Sequence, residues 1–347
     1  MKDQSRFRIR DAEKPGFDRV FEERFCRPLV ALLPRPLRPN TISVVNHLVM
    51  WATVLLLGAA ASFQGVAALT ILYLGSLGFV VSAILDNLDG MHARATGQCS
   101  KLGELLDHGL DAPNVLLNAV GIVLALQLES YVAAAGLLST AFVYHAQVVL
   151  DHHTGKWIPP PVSAPAGQLA CTLTVLAWGA VFLLLGRSEP AVEVSVDVFG
   201  WAVVALNCRQ WFFYLVRLKS LVVYHLNLVV IGSAYAGLYL FGVIDLVALI
   251  ALVVGVSYRL TGTCVLRTLQ GEPCHGWDPS VLAWLALISG LAFVDPIQLG
   301  ETTLQRLTPY LAMAHMFLLN LLDIRRALRQ QRWASPSQTP PAAAREV

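Results

Sequence analysis

Ten apolar runs, at about 42–61, 66–85, 104–127, 131–150, 168–186, 199–216, 221–241, 244–263, 280–297 and 306–322, are separated by short polar or Gly- and Pro-containing breaks. Each approaches the roughly 20 residues that a helix needs to cross a bilayer. The seventh and eighth runs nearly merge at Gly242. A different pattern precedes them. Phe17, Val20, Phe21 and Phe25 recur at helical spacing, with Arg19, Glu22, Glu23 and Arg24 between them. This predicts an amphipathic helix at the membrane interface, lying on the bilayer or packed on the protein itself. Pro34, Pro36 and Pro39 then make a stiff connector, and Asn40 or Thr41 is a natural N-cap for the first span. The expected fold is all-α: a polytopic transmembrane helix bundle of about ten spans with an N-terminal interfacial amphipathic helix. Three parts follow: a cytoplasmic N-terminal arm at 1–40 carrying that helix, a transmembrane domain at 41–323, and a cytoplasmic tail at 324–347. The tail is rich in Pro, Ala, Ser and Gln after Trp333 and is expected to be disordered.

Composition agrees with the pattern. The chain is 56% hydrophobic and 14% charged, against roughly 25% charged residues in soluble domains, and its mean hydropathy is +0.59. The six cysteines, at 26, 99, 171, 208, 264 and 274, form no CxxC pair or zinc-finger spacing, which argues against a metal knuckle or a disulfide framework. The first forty residues are charged and carry no apolar core segment, so no cleavable signal peptide is expected. A net charge of +2 says little, but its placement is informative. With the N-terminus cytoplasmic, that side receives the arm's basic residues from Lys2 to Arg38. It also receives Arg94, Lys101, Lys156, Arg217, Lys219, Arg259, Arg267 and the cluster Arg325, Arg326, Arg329, Arg332 and Arg345. Only Arg187 and Arg306 fall opposite, a bias that puts both termini in the cytoplasm.

Between the second and third runs the chain reads DNLDGMHARATGQCSKLGELLDHGLD, from Asp86 to Asp111. Asp86 and Asp89 lie three apart and Asp107 and Asp111 four apart, so each pair shares one face of its helix. Two such faces turned toward each other present a cluster of oxygens, the ligand set that hard cations such as magnesium prefer. Glu104, Asp107, Asp111, Asn114 and Asn118 continue as one polar stripe, which in a membrane faces a water-filled cavity or a bundle interior. His108 follows Glu104 by four residues, so a carboxylate can orient the imidazole and raise its basicity for general-base work. Arg94 and Lys101 are read as lying in the cytoplasmic connection beside the carboxylates, where cations can neutralise phosphates.

The spacing D-x2-D-G-x2-A-R-x8-G-x3-D-x3-D resembles, without a gap, the signature of the CDP-alcohol phosphotransferase (CDP-alcohol phosphatidyltransferase) family. The wording DGMHAR, TG and LGEL-x-DHG-x-x-D is most similar to the ten-span choline/ethanolamine phosphotransferases. The resemblance implies a membrane enzyme of phospholipid biosynthesis that transfers a phospho-alcohol from a CDP-alcohol to an acceptor hydroxyl and releases CMP. It implies Mg2+ or Mn2+ as cofactor, as two ions held by Asp86, Asp89, Asp107 and Asp111. Gly90, Ala93 and Gly103, being small, let cytidine and diphosphate approach the helices closely, with Arg94, Lys101 and Asn114 as further substrate-binding residues. His108 is implied as the base with Glu104 behind it, while shorter six-span relatives make Asp111 the alternative base. The implied partners are CDP-alcohol and lipid substrates, membrane lipid and a second copy in a homodimer; no nucleic acid is expected. The Lys and Arg bias that places both termini also makes the active site face the cytoplasm.

His153, Thr154 and Gly155 resemble a YHTG segment of the same ten-span enzymes, and Asp151, His152 and His153 are read as a cytoplasmic loop rather than metal ligands. Two departures stand out. Where those enzymes show an acidic residue in a GPxEG-like stretch, this chain has Pro165, Ala166, Gly167 and Gln168, and Ala95 replaces a commonly basic position. The missing carboxylate puts recognition of a cationic headgroup in doubt. The favoured acceptor is diacylglycerol. The alternatives are a CDP-diacylglycerol-dependent phosphatidyl transfer to a small alcohol and, from another class, an ion-coupled transporter using the carboxylates as a relay. His225, His275 and His315 are read as packing or interfacial residues.

Overall fold

The computed structural model describes residues 16–154, 162–217, 222–272, 278–294 and 303–330. Among them every regular element is helical. A short α1 (Gly16–Phe21) runs through a π-helical turn, Glu22–Cys26, into α2 (Arg27–Leu32). Ten longer helices follow: α3 (Pro39–Ala59), α4 (Gly65–Thr96), α5 (Lys101–Leu126), α6 (Ser130–Thr154), α7 (Ala164–Leu185), α8 (Pro190–Arg217), α9 (Val222–Leu240), α10 (Leu246–Gln270), α11 (Pro279–Val294) and α12 (Thr303–Gln330). Each predicted apolar run corresponds to one of them. Eight are long and apolar enough to cross a membrane, and two shorter apolar helical stretches, Val229–Leu240 and Pro279–Leu291, account for the others. The chain is a multi-pass integral membrane protein.

Several helices overrun their apolar runs, because a helix ends at a breaker rather than where hydrocarbon ends. α4 continues eleven residues past its predicted end at 85 and stops only at Gly97, whose φ of +72° suits the left-handed cap. Gly90, Ala93 and Arg94 therefore lie on α4, and the connection between the second and third apolar runs shrinks to residues 97–100. Lys101 is the first residue of α5, whose N-cap Ser100 accepts a hydrogen bond from the Gly103 amide. Likewise Asp151, His152 and His153 are helical, because no breaker precedes Gly155 and α6 runs through Thr154. α12 crosses the expected tail boundary at 324 and continues to Gln330. The first fifteen residues of the arm, with Lys2, Arg6, Arg8, Arg10 and Lys14, lie outside the described residues. So do Gly155, Lys156, Lys219, His275 and the tail from 331 onward.

The chain divides into two compact units, Met1–Ala133 with Trp157–Val203, and Ala134–Lys156 with Val204–Val347. In the first, α3 packs on α4 and α5, and α4 packs on α7. The α3–α4 approach is close: a Cβ on Gly78 would lie 1.8 Å from the Thr53 hydroxyl oxygen, so only glycine fits. The π turn puts Phe21 and Cys26, five residues apart, on one inward face. There they join Ile42, Ala83 and Leu88 in a buried cluster. Phe17, Val20 and Phe25 stay exposed, so the amphipathic segment packs on the protein with one face and presents apolar rings with another. The connector is pinned as well, His92 Nε2 donating to the Leu37 carbonyl at 2.9 Å and Gln98 Nε2 to that of Arg35 at 2.9 Å. In the second unit α10 is almost entirely buried and packs on α12.

Candidate metal centre

The site is built where the far end of α4 meets the first turns of α5, within the first unit. One carboxylate oxygen from each of Asp86, Asp107 and Asp111 lies within 4.8 Å of the other two, and all three residues are half-buried. Asp86 and Asp111 come within hydrogen-bonding distance of each other. Two ionised carboxylates 4 Å apart repel by about 4 kcal/mol at an effective dielectric constant of 20. The arrangement therefore calls for a counter-charge between them. The donor set is all oxygen, and magnesium–oxygen bonds of about 2.0–2.1 Å put opposite ligands roughly 4 Å apart, so a small hard cation fits with little closure.

Asp89, predicted as a fourth ligand, is held differently. It is buried, its Oδ2 accepting from the Ser43 hydroxyl at 2.5 Å and its Oδ1 from the Gly90 amide at 2.6 Å. It lies within electrostatic reach of Asp86 and Asp107 but outside the closest cluster. Arg94 is exposed on the last turn of α4, near enough to Asp89 and Asp107 to act on both. Its guanidinium lies back over Gly90, where a Cβ would meet Arg94 Nη1 at 3.2 Å. At Gly103 a Cβ would meet Asn40 Oδ1 at 3.2 Å. Both contacts are with the polar ends of side chains, which a Cβ would push back by a few tenths of an ångström, and Ala93 is half-buried on the same turn as Arg94.

Along α5, Lys101 lies within electrostatic reach of Glu104, and Glu104 Oε1 is buried with no hydrogen-bond partner among the described residues. His108 is half-buried one turn further on. Pro113 interrupts α5 between Asp111 and Asn114. Having no N–H, it cannot donate to the Gly109 carbonyl, which adds an oxygen free of the helix ladder next to His108. Asn114, predicted as substrate-binding, is buried, and its Oδ1 lies 2.8 Å from His47 Nδ1. Trp51 Nε1 donates to His47 Nε2 at 3.0 Å. An indole can only donate, so the neutral imidazole carries its proton on Nδ1 and gives it to Asn114. Asn118 Oδ1, at the end of the stripe, is buried without a partner among the described residues.

Five residues of this neighbourhood were missed by sequence reasoning: Ser43, Asn46, His47, Ser82 and Gln168. Ser82 donates to Asn46 Oδ1 at 2.6 Å, Gln168 Nε2 donates to Ser82 at 3.1 Å, and Asn46 Nδ2 lies 3.5 Å from Asp86 Oδ1. The signal was present in α3, where Ser43, Asn46, His47 and Thr53 fall at helical spacing inside an apolar run. Buried polar groups at that spacing mark a face turned to other polar groups.

A polytopic helical bundle that converges carboxylates at the ends of two spans is a membrane protein organised around an acidic, cation-demanding site. Residues 37–208, which contain every member of that site, match the family model of the CDP-alcohol phosphatidyltransferases. The chain belongs to that family. It is 34% identical over 104 residues to cholinephosphotransferase 1 of Homo sapiens, covering 30% of this chain and 26% of that protein. It is 30% identical over 131 residues to cholinephosphotransferase 1 of Mus musculus, covering 35% and 33%. With the Gallus gallus protein of the same name it shares 36% identity over 101 residues, covering 29% and 30%. The matched segment spans about a quarter to a third of the length of these relatives.

Proposed function

We propose that this protein is a divalent-metal-dependent CDP-alcohol phosphotransferase of phospholipid synthesis, acting on diacylglycerol. The convergence of Asp86, Asp107 and Asp111 on one point carries the reading, since the same aspartates anchor the gap-free motif. Bound Mg2+ or Mn2+ at these residues, with Asp89 serving a second ion, supplies positive charge for the diphosphate. Arg94 adds a cation on the open side. His108 takes the proton of the acceptor hydroxyl, with Glu104 as its orienting carboxylate. The acceptor oxygen forms a bond to the phosphorus bearing the alcohol, the phosphoanhydride bond breaks, and CMP departs with the electron pair. Asp111 is the alternative base. The names of the relatives support choline as the alcohol, and the motif resemblance adds ethanolamine.

Gln168 favours keeping a second reading. It is neutral and buried, and the stretch Pro165, Ala166, Gly167 and Gln168 carries no acid where the resemblance implies one, so a CDP-diacylglycerol donor with a small soluble acceptor is the second reading. A transporter is less well supported, because among the described residues only one acidic group could hold a metal. The experiment is CMP release by purified protein with a panel of CDP-alcohols and lipid acceptors. Release with CDP-choline or CDP-ethanolamine and diacylglycerol, lost in chelator, is expected. Release only with CDP-diacylglycerol selects the second reading, and full activity in excess chelator removes the metal.

The cytoplasmic orientation is proposed from the Lys and Arg distribution. Cys99 is exposed in the 97–100 connection and offers a native probe. In a variant retaining only Cys99, an impermeant maleimide is expected to label from the cytoplasmic side alone. Homodimerisation is proposed from the family resemblance and is tested by the mass of the detergent-solubilised protein.

A further inference from the structure

Gln168 is 7% exposed on the first turns of α7, and its Oε1 is buried with no partner among the described residues. A buried amide that leaves one end unpaired is unfavourable as mere packing, so what its other end does is informative. Its Nε2 donates to Ser82 Oγ at 3.1 Å, Ser82 donates to Asn46 Oδ1 at 2.6 Å, and Asn46 turns its Nδ2 toward Asp86 Oδ1 at 3.5 Å. Ser82 is wholly buried and Asn46 is 3% exposed, so solvent does not substitute for any link.

The direction of this chain is fixed by its end. An ionised carboxylate only accepts, so Asn46 presents its NH2 to Asp86 and keeps its carbonyl for Ser82. The Ser82 hydroxyl, committed to that carbonyl, accepts from Gln168. Every donor points toward Asp86, and three helices contribute: α7 through Gln168, α4 through Ser82, and α3 through Asn46. In a low-dielectric interior such links polarise one another and hold the terminal group in one rotamer.

We propose that Gln168, Ser82 and Asn46 are positioning residues that orient Asp86 for metal binding, so that α7 helps set the metal affinity of a site built on α4 and α5. This rests on the reading of Asp86 as a metal ligand. A structural alternative exists, since the same contacts tie α7 to α4. Thr172, one turn along, provides the control: its hydroxyl lies 3.1 Å from the Ser76 carbonyl of α4 and 3.1 Å from the Gln168 backbone carbonyl, so it ties the same helices together without touching a side chain of the relay.

The test is Mn2+ binding, followed by the spin-resonance signal of free Mn2+, on detergent-purified protein without substrate, alongside thermal melting and CMP release. Asn46→Ala is expected to weaken binding by about 10-fold or more, the scale seen for groups that orient metal ligands. Ser82→Ala and Gln168→Leu are expected to weaken it by several-fold. Because the links are in series, Ser82→Ala with Gln168→Leu is expected to bind no more weakly than Ser82→Ala alone. Ser82→Thr, which keeps the hydroxyl, is expected to restore binding, and Thr172→Ala to lower the melting temperature while leaving Mn2+ affinity unchanged. Wild-type affinity in Asn46→Ala and Ser82→Ala, additive losses in the double variant, or an equal loss in Thr172→Ala would each overturn the relay while leaving the metal site standing. No Mn2+ binding by the wild-type protein would instead overturn the metal reading, and the relay with it.

Discussion

In the second unit Arg259 sits between Asp278 and Asp323, at 2.8 and 2.7 Å, and also donates to Asn320 Oδ1 at 2.9 Å. Asp278 receives the Ser280 amide and hydroxyl, Asn320 donates to the Tyr258 carbonyl, and Arg326 approaches Asp323 at 3.4 Å. Two cations therefore answer two carboxylates. In the first unit the cations among the described residues that lie within electrostatic reach of Asp89, Glu104 or Asp107, in the cluster they form with Asp86 and Asp111, are Arg94 and Lys101. Both clusters place charge among apolar helices. The second is complete as folded, whereas the first carries a surplus of negative charge and needs a cation from outside. A buried ionisable group in a membrane is a sign of function by default, and the contrast supplies the missing qualifier: what matters is whether the protein itself balances the charge.

The largest effect is expected where the surplus is reduced. Asp107→Asn or Asp86→Asn is expected to bring CMP release to background. Without metal, the melting temperature in detergent should stay level or rise, because one repelling charge is gone. Activity and melting measured together check this, and a variant that both melts lower and retains activity would break the comparison.

Next comes the base. His108→Ala is expected to slow transfer by about 100- to 10,000-fold with donor binding nearly intact. Asp111→Asn is expected to weaken metal and donor binding together. Turnover and donor affinity at saturating Mg2+ separate the two, and the reverse pattern would make Asp111 the base.

The balanced cluster should respond in the opposite sense to the acidic one. Arg259→Leu strands Asp278 and Asp323 and is expected to destabilise the protein by about 3–5 kcal/mol, the range for breaking a buried pair. Lower yield and a lower melting temperature are the readouts, with CMP release per folded molecule falling far less than in the Asp variants. The smallest effect is expected at Ser100→Ala, which removes the α5 cap and costs about 1 kcal/mol. Its activity at a temperature well below the melting point should remain close to wild type.

The spans and the carboxylates were legible because each is written locally, as an apolar run or as residues three and four apart. The ends of α4 and α6 were not, since apolarity marks the membrane and not the helix, and Arg94 was consequently assigned to a loop. Asp89 illustrates a further limit: its spacing from Asp86 places both on one face, but only tertiary contact reveals that Ser43 of another helix occupies one of its oxygens. Gln168 was noticed only as part of a stretch that lacks an acid. Its link to Asp86 runs through Ser82 and Asn46, which are far apart in sequence, and no periodicity records such a path. The Arg259 cluster escaped for the same reason, Arg259 and Asp323 being 64 residues apart.

The unbroken course of α4 also works as a ruler. Asp86 lies 21 residues beyond Gly65 at the helix start, or about 32 Å along an α-helix. From the other direction, Asp107 lies 19 residues before the end of α5 at Leu126, about 28 Å. Both lengths match a hydrocarbon thickness of roughly 30 Å, so with Gly65 and Leu126 at one face of the membrane the acidic cluster would stand at the other, where acyl chains give way to headgroups. At that plane a nucleotide arriving from water keeps its hydration until the final contact, and the hydroxyl of a membrane-embedded lipid is already at the right height. The reaction proposed for this site thus asks neither substrate to leave the phase it prefers.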